Sequence, residues 1–439
     1  MRRIVICLAL VGCSFAAGAQ GGPWSLKQCI DYALEHNLSV QQSSLGVEQR
    51  EVELNTAQNR RLPSLSGGAS ENLSFGRGLT ADNTYSNSNT TSTSFSLGSD
   101  IPIFQGFDIS NGIKISKLNL EAATAELEKA RDDIRVAVAQ AYVQILYNQE
   151  LLKVARQQRE HDAQLLEQVK ERLNAGKVSS AEVSAQQATL AQSTQSEIQA
   201  EGNLNISILE LSQLLELPSP EGFSIVTPEV GNVDEVLLMR PEAIFAQAVE
   251  IKPAVESARL GVESAKVSID RAKGGYLPSM SLSGGLGTNY YTNSKMPSLS
   301  FGEQLKNNFS QYIGVNLSIP IFQRFSVRNQ VRNAEINYRG QQLNLENVKK
   351  SLYKEIQQAY YNAVNSQARY TGSRQSAESA REHYELTEEK YKVGKAGIAD
   401  YNDARNSWLR AESEHIQARY QCLYQTKLLD FYKGEELNF

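Results

Sequence analysis

Side chains able to do chemistry are few in this sequence, and they do not converge. Four histidines occur among 439 residues, His36, His161, His383 and His415, and none has a second metal-type ligand at a useful spacing. There is no HExxH, CxxC or GxSxG, and no GxGxxG opening a helix. Nucleophilic, metal-assisted and dinucleotide-dependent catalysis therefore lack a recognisable site. The expectation is a protein that is not an enzyme, with no metal and no cofactor. Lys and Arg number 44 against 49 Asp and Glu, and no basic cluster of the kind that tracks phosphates appears, which argues against nucleic acid as a partner.

The first residues form a targeting signal. Arg2 and Arg3 precede an apolar run, Ile4–Val11, and Ala17-Gly18-Ala19 is a small-residue cleavage site before Gln20. Segment 1–19 thus reads as a signal peptide for export, and the apolar run is too short to span a bilayer, which needs ~20 residues. Leu10-Val11-Gly12-Cys13 is an alternative lipoprotein box that would place a lipid on Cys13. With cleavage after Ala19, the cysteines reduce to Cys29 and Cys422. That is no disulfide framework; two buried thiols are expected, with a single bridge as the alternative.

The remaining chain is a tandem duplication. Leu62-Pro63-Ser64 recurs as Leu277-Pro278-Ser279, and Ile101-Pro102-Ile103-Phe104-Gln105 recurs intact as Ile319-Pro320-Ile321-Phe322-Gln323. The offset is 215 up to the first motif and 218 from the second onward. A first repeat is expected over 20–217, with helices at 26–61, 111–175 and 182–215 and strands at 64–75 and 93–104. A second is expected over 237–439, with helices at 253–274, 329–393 and 400–432 and strands at 279–291 and 309–322. Segment 218–236 joins them.

The strands alternate apolar and polar residues, as in Phe95, Leu97, Ile101 and Ile103 against Ser94, Ser96, Gly98 and Asp100. Polar stretches 76–92 and 292–308 read as loops. The long helices carry narrow apolar stripes, Ile134, Val138, Ala141, Ile145 and Leu352, Ile356, Ala359, Ala363, at coiled-coil spacing. Uninterrupted, each would run ~95 Å. Each ends in a short glycine-containing turn, 176–180 or 394–397, and returns as a second helix.

Four strands in an otherwise long-helical chain have no second sheet to cover them. They fit a membrane β-barrel in dimensions and alternation, yet lipid tolerates no open sheet edge. The chain therefore supplies part of a barrel that a symmetric oligomer must close. Two copies give eight strands, whose interior side chains fill; three give twelve and leave an aqueous lumen. The fold class expected is mainly α with a membrane β-barrel portion.

In signal peptide, tandem halves, the Leu-Pro-Ser and Ile-Pro-Ile-Phe motifs, and the Tyr391-Lys392-Val393-Gly394 turn followed by acidic residues, the chain resembles the TolC-like outer membrane efflux family. That resemblance implies a homotrimeric channel-tunnel in outer membrane lipid, with a twelve-stranded barrel and a helical tunnel through the periplasm. It also implies a periplasmic adaptor protein and an inner-membrane transporter of the RND or ABC type as partners. It implies a periplasmic gate at Asp400 and Asp403, three positions apart and so on one helix face. Closed-state contacts would involve Tyr391 and Glu182; where the family has a basic residue this chain has Ala396, so one contact is either missing or supplied by Lys395. Gly176, Lys177, Gly394 and Gly397 would lie in the turns that meet the adaptor. A trimeric structural or adhesive stalk is the alternative function, although a stalk needs one long helix per chain rather than two matched hairpins.

Overall fold

The computed structural model describes residues 22–79, 83–228 and 237–438. The signal segment with its Cys13 box, and 229–236 of the segment joining the repeats, lie outside the described residues. The protein is mainly helical, with one four-stranded antiparallel sheet in the order β1-β2-β3-β4. The elements are α1 (Leu26–His36), α2 (Leu38–Asn59), β1 (Ser64–Leu79), β2 (Tyr85–Gln105), α3 (Asp108–Asn174), α4 (Ser180–Leu214), α5 (Pro241–Ile251), α6 (Pro253–Lys273), β3 (Ser279–Asn293), α7 (Phe301–Asn307), β4 (Ser310–Ser318), α8 (Ser326–Lys392) and α9 (Ile398–Tyr432). No helix among the described residues is long and apolar enough to cross a membrane.

The compact units run across the repeats. One takes its described residues from Met1–Gln42, Ala130–Ile251 and Leu352–Phe439; the other comprises Ser43–Lys129 and Lys252–Ser351. In the first, the expected stripes are buried: Val138 and Ile145 of α3, and Ile356, Ala359 and Ala363 of α8, lie with Leu211 of α4 and Leu429 of α9 in the interior. Cys29 and Cys422 are both free and buried. Burial pushes the Cys29 thiol up to about 12, so it stays protonated and inert.

Several expected boundaries need correction. Helix 26–61 is two helices, because Asn37 leaves helical geometry (ψ 130°) and its side chain accepts from the Ser39 amide at 2.9 Å, capping α2. The polar stretch 76–92 is mostly strand: β1 and β2 pair without a break from Ser64↔Asp100 to Leu79↔Tyr85. Serine and threonine repeats look like loop in composition, but the ladder needs only backbone groups. The stretch 292–308 contains α7, which opens with a capping box between Ser300 and Glu303. The last expected strand, 309–322, is regular only over Ser310–Ser318. Helix α5 was not expected.

In the second unit the sheet has two chemically distinct faces. Register places Ala69 beside Phe95, Phe95 beside Thr288, Leu97 beside Leu286, and Leu282 beside Val315 on one face. The other face carries Ser66, Ser70, Ser94, Ser96, Ser281, Ser283 and Asn316. At the exit of β2 the chain turns through Gly106 and Phe107, both left-handed (φ 58° and 63°). A Cβ on Gly106 would stand 2.3 Å from the Gly274 carbonyl oxygen. Gly106→Ala therefore combines a left-handed penalty of about 1–2 kcal/mol with a backbone clash, and is expected to destabilise by more than about 2 kcal/mol in thermal unfolding. A smaller loss would mean that the two backbones separate freely. Beyond this turn, Asp108 opens α3 and accepts from Arg271 Nε (2.7 Å) and Arg60 Nη2 (2.9 Å), fixing the helix start to α6 and to the end of α2.

Candidate functional site

The two helical turns in the first unit are built alike. α3 ends at Gly176 (φ 71°), where the Lys177 amide bonds the Arg172 carbonyl at 2.9 Å; α8 ends at Gly394 (φ 72°), where the Lys395 amide bonds the Lys390 carbonyl at 2.7 Å. Both are Schellman closures, which need a residue at positive φ and so use glycine. The returning helices start alike too. Ser179 caps α4, and its amide donates to Glu182 Oε1 at 3.5 Å; the Gly397 amide donates to Asp400 Oδ2 at 3.2 Å at the start of α9.

Glu182 and Asp400 thus occupy the same capping position, 218 residues apart. Helix initiation accounts for both carboxylates. It does not account for Asp403, whose counterpart in the first repeat is Ala185. Asp400 and Asp403 are both exposed, whereas Tyr401, Ala404 and Arg405 of the same helix are buried. Among the described residues, the Asp403 carboxylate has no hydrogen-bond or ion-pair partner.

The buried face of α9 belongs to an aromatic cluster. Tyr384, Tyr391 and Tyr401 pack with Leu165 and Val169 of α3, and Trp408, Val178, Val183, Ala396 and Ile398 close over them. Tyr391 stacks on Tyr401 (centroids 5.1 Å, planes at 29°), and the Arg172 guanidinium lies 5.1 Å from the Tyr391 ring centre. The Tyr391 hydroxyl is buried without a hydrogen-bond partner. Burial pushes it up, and the nearby Glu182 charge adds to that while Arg172 opposes it. Glu182 therefore acts on Tyr391 here through space, with its carboxylate committed to its own helix start. The Lys395 side chain is exposed, as are Gly176, Lys177, Gly394 and Gly397.

A second constellation lies behind this cluster, and sequence reasoning missed it. Arg405 of α9 pairs with Asp162 of α3, their side chains 2% and 0% exposed. Gln158 Nε2 donates to Asp162 Oδ2 at 2.9 Å, while the Arg405 Nε has no partner. Next to the pair, His161 Nε2 lies 3.2 Å from the Tyr401 hydroxyl, which lies 3.2 Å from that of Tyr384. Burial, reinforced by the Arg405 cation, holds His161 below its ordinary value of 6.5. A signal was present: Asp162 continues the seam marked by Leu152, Leu166 and Val169, and Arg405 falls between Tyr401 and Trp408. A charge at a seam position on each of two helices points to their pairing.

Chemically, the turn offers two exposed carboxylates per chain on a helix whose buried face packs into the aromatic cluster. Among the described residues no set of His, Cys, Asp and Glu is placed to hold a metal ion.

The sequence matches the family described as "Outer membrane efflux protein" over residues 29–216 and 245–434. It is 26% identical to outer membrane protein TolC of Salmonella enteritidis over 436 residues, covering 96% of this chain and 83% of that protein. The TolC protein of Escherichia coli strain K12 gives the same identity over 437 residues with the same coverage. The fold superposes on the Campylobacter jejuni CmeC outer membrane channel with a TM-score of 0.76 at 21% identity, covering 94% of this chain and 87% of that one.

Proposed function

This chain belongs to the outer membrane efflux protein family, and we propose that it works as a homotrimeric, passive conduit with no chemistry of its own. It is an efflux channel of the cell outer membrane that extends into the periplasm. The observation that carries the trimeric reading is the two-faced sheet whose outer strands, β1 and β4, each leave one edge unpaired among the described residues. Lipid against the apolar face requires closure of those edges, and serine, asparagine and glycine on the other face suit a water-filled lumen. Three copies give twelve strands.

In this reading the chain receives cargo from an inner-membrane transporter of the RND or ABC type through a periplasmic adaptor, which meets the turns at Gly176–Lys177 and Gly394–Gly397. Asp400 and Asp403 form the selective gate, and Tyr391, Glu182 and Lys395 contribute to the closed state. The transporter chooses the cargo, small molecules such as drugs or metals, or proteins. The test is the mass and conductance of detergent-extracted protein. A particle with the mass of three chains that forms ion-conducting pores in planar bilayers is expected. A stable single chain in lipid would overturn the reading.

A further inference from the structure

We infer that the seam between two copies of this chain has a definite register, with β4 of one copy pairing β1 of the next so that Asn316 faces Ser70 of the other copy. The inference rests on the trimeric reading and adds which residues meet.

The template lies inside the chain. The two hairpins share one register under the repeat offsets: Ser64↔Asp100 corresponds to Ser279↔Ser318, and Asn72↔Ser92 corresponds to Gly287↔Ser310. Each hairpin is therefore a copy of the other, and β2–β3 is the contact between successive copies. Its pairs Ile101↔Leu282, Leu97↔Leu286 and Ser92↔Tyr291 translate, across a chain boundary, to Ile319 against Gly67, Val315 against Glu71 and Ser310 against Gly76. The β2–β3 register shift between Pro102 and Phe104 translates to a bulge at Ile321.

Three observations support the translation. First, the same five residues take two states. Ile101–Gln105 is strand because β3 pairs with it, whereas the identical Ile319–Gln323, with no partner beside it, is irregular. Ile321 and Phe322 are 94% and 69% exposed there. The peptide is capable of pairing and lacks only the neighbour. Second, parity agrees. The register sets Ile313, Val315, Leu317 and Ile319 on the same face as Leu65, Leu73 and Phe75, so the predominantly apolar face continues through the seam with Glu71 as a charge beside Val315. A slip of one residue would turn every one of them to the polar side. Third, the short β4 has a built ending. Beyond Gly287, where β4 stops, α7 takes over the edge of β3, with Gln304 accepting from the Tyr291 amide and donating to its carbonyl, both at 2.9 Å. The seam ladder accordingly ends at Ser310.

The symmetry between the two contacts is broken at one place. Arg324 and Phe325 repeat the left-handed pair of Gly106 and Phe107, at φ 50° and 60°. Within the chain, Gly106 touches Gly274 with no room for a Cβ on either residue. Across the seam the same positions are Arg324 and Asn59, whose side chains keep the backbones further apart. The seam between copies is therefore looser at its helix end than the contact between repeats.

Cysteine pairs in the full-length protein, oxidised in the outer membrane, test the register. Asn316→Cys with Ser70→Cys is expected to give covalent dimers and trimers on denaturing gels, while each single variant gives none above the background of buried Cys29 and Cys422. Pairing Asn316→Cys with Asn72→Cys or Gly68→Cys, two residues off register, is expected to link several-fold less. Stronger linking by a shifted pair would overturn the register while the trimer stands. No linking by any pair, in single variants that still have the mass of three chains, would overturn β4–β1 as the seam. A mass of one chain would instead remove the trimeric reading itself. Amide exchange gives a readout without substitutions: Ile319, Ile321 and Phe322 should be protected about as well as Ile101–Gln105 in the assembled protein, and free exchange there would overturn the pairing.

Discussion

Arg405→Met alone is expected to destabilise the helical unit by about 3–5 kcal/mol, because it leaves the Asp162 carboxylate buried and uncompensated. Both side chains are almost completely shielded from water, so solvent screening does little to soften the loss. Gln158 supplies the remaining bond to Asp162, and an amide dipole cannot replace a guanidinium charge. Asp162→Leu combined with Arg405→Met removes both charges and is expected to recover most of the stability, since apolar side chains of similar volume fill such sites at little cost. Loss of helical circular dichroism on heating checks both outcomes. A cost below about 1 kcal/mol for Arg405→Met would mean that the pair is hydrated in the assembled protein. His161 adds a pH dependence of definite sign. Its folded-state value is depressed, so its contribution is complete above the ordinary value of 6.5 and is lost as the pH falls below that value. Arg405→Met removes the second largest of the causes that depress it, after burial and ahead of Lys392, and should therefore flatten this acid limb.

Replacing Asp400 and Asp403 together with alanine is expected to abolish block of the reconstituted pore by multivalent cations from the periplasmic side and to weaken its cation selectivity. In the proposed gate, threefold symmetry would bring six carboxylates to one narrow passage, within roughly a Debye length of each other, ~8 Å at physiological salt. Rings of carboxylates attract cations strongly at such distances. Assembly should survive, because both side chains are exposed and neither is part of the aromatic cluster. The single variants separate gate from cap. Asp400→Ala also removes the bond to the Gly397 amide, whereas Asp403→Ala only copies what the first repeat already has at Ala185. A functional loss in Asp403→Ala with unchanged thermal stability is the cleanest sign of the ring. Full selectivity and full cation sensitivity in the double variant would place the ring elsewhere and leave these aspartates serving the helix start.

Local signals in the chain carry much of this architecture. Unbroken runs with apolar residues every three or four positions mark the helices that become α3 and α8. Glycines followed by a capping residue mark the two turns, where only a positive φ closes the last helical carbonyls. Alternation around Phe95–Ile103 marks a strand, and duplication marks two copies of one plan. These are properties of a residue and its near neighbours, which is why they can be read without a structure. The candidate gate was partly legible for the same reason: two aspartates three apart share a helix face wherever that helix lies.

What the sequence could not supply depends on who stands beside whom. Ser86–Ser92 has the composition of a loop and is strand, since β1 offers all of it backbone partners and β3 joins from Thr90 onward. Asp162 and Arg405 look like two surface charges 243 residues apart, and become a buried pair only when α3 and α9 pack seam to seam. Ile-Pro-Ile-Phe-Gln is the sharpest case, because one string of residues is strand at 101–105 and irregular at 319–323 within a single chain. Side-chain pattern determines which face a segment would turn to lipid or to water. Whether its backbone groups find a ladder is decided by the neighbour that tertiary structure brings, and an amide without a partner cannot hold a strand.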